Sequence, residues 1–181
     1  MGNKNNNPTI NPSIIQSLQD QLNSILAILI QLKKTLMQEQ TESRKKIYAK
    51  AKELLGTDVT PEDNVSDIYA CVETVWTIVK EATGHSIGGS ILVGTPKLYE
   101  CLIKDELFKE VTEPLAGDII LSVTGTGNGK LSNGHAGIIA FYGILSNNSD
   151  NGLLQEKLSL QSWKAVYEDF AGFKTHFFRM I

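Results

Sequence analysis

Asp118–Asn147 reads DIILSVTGTGNGKLSNGHAGIIAFYGILSN, three short apolar runs (118–124, 135–143 and 144–147) separated by a Gly-rich loop and a Tyr-Gly pair. Aliphatic runs of this length, bounded by Gly and Asn, predict β-strands joined by turns. Downstream, LQSWKAVYEDFAG (160–172) predicts a helix and FKTHFFRMI (173–181) a last strand. Upstream the pattern is helical. DIYACVETVWTIVKEATG (67–84) has a capping candidate in Ser66, Asp67 in its first turn and apolar residues at helical spacing as far as Gly84. TPKLYECLIKDELFKEV (95–111) opens on Thr95-Pro96 and would bury Leu98, Cys101, Leu102 and Leu107. Helices first and antiparallel strands after predict an α+β domain.

Ahead of this domain, Ile15, Leu18, Leu22, Ile25, Leu29, Leu32 and Leu36 recur at alternating spacings of 3 and 4, a heptad seam. Leu26, Ile28 and Ile30 widen it, which favours a bundle of several helices or docking onto a partner. Packing onto the chain's own domain and contact with a membrane surface are the alternatives. The uncharged window from Gln21 to Leu32 is shorter than the roughly 20 residues a spanning helix needs. TESRKKIYAKAKELLG (41–56) predicts a second, charged helix, capped by Thr41 and ended by Gly56, and Thr60-Pro61 a short helical start beyond it. The expected organisation is a flexible segment 1–13, a helical oligomerisation or docking segment 14–56, and a globular domain 57–181.

The 181 residues carry a net charge of −3, with 41% hydrophobic and 20% charged residues, a soluble globular composition. Residues 1–60 hold 8 Lys/Arg against 5 Asp/Glu and residues 61–181 hold 9 against 15, so no clustered basic face points to nucleic acid. Cys71 and Cys101 form no CxxC and have no His at metal-ligand spacing, which predicts neither a disulfide scaffold nor a zinc site, and no cofactor. The stretch MGNKNNNPTINPS lacks the apolar core of a secretory signal, so synthesis in the cytoplasm without a signal peptide is expected.

Chemistry is expected where a thiol lies near a helix N-terminus with an imidazole beside it, because both stabilise the thiolate. Cys71 has the helix position and His135, which follows Gly134 at a strand mouth, has the imidazole. A third polar group normally orients the ring, and ILSNNS (144–149) offers Ser146, Asn147 and Asn148. Asn133, Gly134 and Asn148 would flank the substrate, and the Cys71 N–H would be the oxyanion donor. Cys101 reads as a core thiol, His85 as a capping or surface histidine and His176 as a residue on the polar face of the last strand. Gly117-Asp118 reads as turn chemistry, and the loop GTGNGKLSNG lacks the order of a phosphate-binding loop.

ACVETVWTIV (70–79), PLAGDIILSV (114–123) and NGHAGIIA (133–140), in this order, resemble the NlpC-like and CHAP-type cysteine peptidoglycan hydrolases. The resemblance covers about residues 60–181. It implies a papain-like fold, N-terminal helices packed on a small antiparallel sheet, that cuts amide bonds in cell-wall peptides. It makes Cys71 the nucleophile, His135 the base and Asn147 most nearly the third residue, with Gly117 and Asp118 in a structural turn. Ala70 stands where many relatives have Asp or Gln, and no Ser-Gly follows the cysteine. The implied setting is a phage or prophage lysis protein or a virion-associated hydrolase that acts at the cell wall after release or delivery. Two other readings share the residues: a catalytically inactive structural protein assembled through the heptad helix, and a cysteine protease with protein substrates.

Overall fold

The computed structural model describes residues 11–60, 66 and 70–181, the side chains of 33–41 excepted. The expected flexible segment 1–13 therefore lies outside the described residues except for 11–13, and Pro61 lies outside them too. The chain divides into two compact units, Met1–Gln38 and Glu39–Ile181. The first helix, α1, spans Pro12–Glu53. It runs through Thr41, so that residue is not a cap: KKTLMQEQT (33–41) contains neither Gly nor Pro to stop a helix. Ile47 and Ala51 are core residues of the second unit, so the later part of segment 14–56 belongs to the globular fold and not to a separate docking segment.

The second unit is α+β. α2 (Cys71–Thr83) and α3 (Thr95–Lys104) precede a sheet of six strands, β1 (Phe108–Glu110), β2 (Ile119–Ser122), β3 (His135–Ile139), β4 (Ile144–Asn147), β5 (Leu154–Leu158) and β6 (Thr175–Met180). Their order is β1-β6-β2-β3-β4-β5, antiparallel throughout. The helix expected over 95–111 stops at Lys104. Asp105 accepts the Leu107 N–H at 3.1 Å and holds His85 at 2.6 Å, and the turned chain enters β1. Leu107 is consequently exposed and Cys101 only partly buried, where both were expected in the core. β5, LQEKL, lacks a regular apolar alternation and was not expected from the sequence.

Strand alternation separates two cores. Ile119, Leu121, Ala136, Ile138 and Leu145 face α2, together with Ile47 and Leu98. Ile120, Ile139, Ile144 and Phe177 face Trp163 on the other side. Trp163 ends the short helix α4 (Leu160–Trp163), and the chain continues as a π-helix over Lys164–Phe170. His176, expected on a polar face, is buried: it bonds Glu110 at 2.5 Å and packs against Tyr99 with the rings tilted at 44°, because this end of the sheet is covered by α3.

Gly117 and Asp118 form the turn into β2. A Cβ on Gly117, whose φ is 95°, would lie 2.1 Å from the Arg44 carbonyl oxygen, so only glycine fits. The fully buried Asp118 accepts Arg179 Nε at 3.0 Å, Arg179 Nη2 at 2.7 Å and the Leu115 N–H at 2.7 Å. Among the described residues, no helix is long and apolar enough to cross a membrane.

Candidate functional site

α2 begins at Cys71 itself, after Ala70 at the cap position, which contributes no side-chain hydrogen bond. Residues 67–69, where the helix was expected to start, lie outside the described residues. Cys71 thus occupies the first helical position, where backbone N–H groups have no intrahelical acceptor. Burial pushes its thiol up to about 11, against backbone hydrogen bonds at Ala136, Val72 and Cys71 that favour the thiolate. The sulfur therefore lies against the strand residue that follows His135. A thiol near 11 is protonated at neutral pH, unlike the stabilised thiolate expected from a helix start.

His135 opens β3, paired with Ser122 of β2. Gly134 makes that entry feasible, since a Cβ there would lie 1.9 Å from the Ser122 carbonyl oxygen. The imidazole stacks on Trp163 (5.5 Å between centroids) and Tyr167 (5.9 Å). Burial pushes it down to about 4, opposed by a hydrogen bond to the Asn147 backbone. The expected partner residue thus meets His135 through its main chain and not its amide. Both amide atoms of Asn147 are buried without a hydrogen-bond partner. Ser146 stands opposite Gln155 across the strands, and Asn148 closes the β4–β5 turn by accepting the Asp150 N–H at 3.3 Å.

Cys71 and His135 line separate cavities on consecutive stretches of backbone. Cys71 opens on a cavity of about 200 Å³ with Gly94, Thr95, Thr124, Asn133 and Gly134. His135 lines another of about 180 Å³ with Ser146, Asn147, Asn148, Gln155, Lys157 and Tyr167. Of the residues expected to flank substrate, Asn133 and Gly134 lie on the thiol side and Asn148 on the imidazole side. The Gly134 N–H is already committed to Thr124 Oγ1 at 2.8 Å, and Thr124 in turn is tied to Thr95.

Tyr167 was missed by sequence reasoning and interacts with both groups. It stacks on His135, and its phenol is pushed up to about 12, first by burial and second by the negative charge Cys71 would carry. The signal available was Trp163 and Tyr167 at four-residue spacing, which share one face of a helix. The π-helix carrying Tyr167 is a rare local geometry concentrated at functional sites. Trp163 is locked by its Nε1, which donates to Ser122 Oγ at 2.8 Å. Gln155 and Lys157 belong to the strand the sequence did not disclose. Among the described residues, no group of three or more His, Cys, Asp or Glu is placed to hold a metal ion. The chain matches no protein-family model and no curated protein.

Proposed function

We propose that the globular unit, Glu39–Ile181, is a papain-like cysteine hydrolase that cuts amide bonds in peptidoglycan peptides, as in a phage or prophage lysis protein or a virion-associated enzyme. The observation that carries this reading is the placement of both side chains at the start of β3: the Cys71 sulfur at the Ala136 backbone, and His135, the preceding residue, stacked on Trp163 and on Tyr167, whose phenol also feels the charge Cys71 would carry. Both groups rest neutral, so the imidazole acts as general base during attack. His135 takes the thiol proton as sulfur bonds to the peptide carbonyl, and the imidazolium returns that proton to the leaving amine as the C–N bond breaks. His135 then takes a proton from water as oxygen adds to the thioester. Collapse breaks the C–S bond and the proton returns to sulfur. The Cys71 N–H is the oxyanion donor.

The test is solubilisation of purified peptidoglycan and release of free amines. Wild type and Cys101→Ala should be active and Cys71→Ala inactive. No activity in any variant favours the second reading, a structural protein with a silent site. What speaks for that reading is a protonated thiol and an uncharged imidazole that open on separate cavities.

We further propose that the N-terminal helix joins copies of this chain. Its heptad places Ile15, Leu22 and Leu29 at a and Leu18, Ile25 and Leu32 at d, and all six are half-exposed or more. Leu26 at e and Ile28 at g extend the apolar face, and no charge lies between Gln21 and Leu32 to repel an identical helix. Apolar e and g positions beside a mixed Leu/Ile seam suit three or four copies better than two. The enzyme would then meet the cell wall as a cluster of sites.

A further inference from the structure

We propose that the cavity beside His135 is a subsite for a carboxylate of the bound peptide, read by Lys157 together with neutral donors. The word "peptide" rests on the hydrolase reading above; the anion preference rests on the cavity alone. None of the residues lining it is acidic, although residues 61–181 carry 15 Asp/Glu against 9 Lys/Arg. Its one cation, Lys157, is exposed and makes no ion pair among the described residues. The acid next to it in sequence is drawn elsewhere: Glu156 stands opposite Leu145 and binds Lys52 at 3.2 Å. Ser146 and Gln155 are cross-strand partners, so both project from one face of the sheet. Asn148 and Tyr167 add an amide and a phenol to the lining.

One ammonium among uncharged donors matches a single negative charge, since each N–H or O–H can satisfy a carboxylate lone pair and no lining carboxylate repels it. A phosphate dianion would need more positive charge than the site holds. His135 borders the same cavity, so an anion held there would sit beside the catalytic imidazole and fix which amide bond of an acidic peptide reaches Cys71.

The test uses the full chain as Cys71→Ala, which cannot turn substrate over, and two soluble cell-wall stem peptides: one with its carboxylates free, one with them converted to amides. Calorimetry should find the free acid bound at least tenfold more tightly, and the difference should collapse in Cys71→Ala/Lys157→Met. Gln155→Leu should weaken the free acid alone. Lys157 is exposed, so its removal leaves the fold intact, which a melting curve verifies. Equal affinity for the two peptides, a preference that survives Lys157→Met, or no binding of either by folded protein would each overturn the subsite. Failure of the hydrolase reading is seen separately: the free acid binds as described while wild type leaves peptidoglycan uncut.

Discussion

The N-terminal part of α1 and the helix α2 are both rich in aliphatic residues, yet they meet opposite fates. Leu18, Leu22 and Leu29 are 59%, 61% and 57% exposed, whereas Val72, Ile78 and Val79 are fully buried. The difference lies in how the apolar residues are distributed. In α2 they recur at helical spacing and form one broad face, from Cys71 and Val72 to Ile78 and Val79, for which the sheet and the neighbouring helices supply partners within the chain, while Lys80 and Glu81 stay exposed. In α1 they keep a seven-residue period and stay exposed, which is the stripe the proposed bundle of copies would cover. The apolar face of α2 is covered by its own fold; the stripe on the N-terminal part of α1 is exposed.

The largest expected effect breaks the first half of that comparison. Ile25→Asp places a charge in the seam and should convert the assembly to single copies in sedimentation, while the melting midpoint of the globular unit stays unchanged. A mass that does not fall would mean the stripe is satisfied in some other way. Next in size, Asp118→Ala removes the buried acceptor of three hydrogen bonds and should cost about 3 kcal/mol in urea unfolding, with the assembly unaffected.

A pH series sharpens the second half. His135 is held near 4 in the fold, against 6.5 ordinarily, so between these values the unfolded chain binds a proton that the folded chain refuses. Stability should therefore fall as pH drops from about 6.5 to about 4, and His135→Gln should flatten that fall in melting temperature. A slope that survives the substitution would assign the pH dependence to other groups. The smallest effect is expected of Trp163→Phe, which keeps an aromatic wall behind His135 and loses the bond to Ser122. It should cost about 1 kcal/mol in the same unfolding assay.

The sequence by itself determined the α+β order, the strands around Asp118–Asn147, the Gly117-Asp118 turn and the heptad stripe. Each is a local matter of periodicity, turn chemistry or backbone conformation, legible within a few residues. It also singled out Cys71 and His135 by their places at a helix start and a strand start. Only the tertiary structure decided what surrounds them. The main chain of Asn147, not its amide, meets His135, because the partner depends on how two strands lie side by side. Tyr167 and Lys157 come to the same cavity from a helix whose π geometry the sequence does not announce and from a strand without apolar alternation. The neutral state of both Cys71 and His135 is likewise a product of burial, and burial depends on everything packed around a residue and not on its neighbours in the chain.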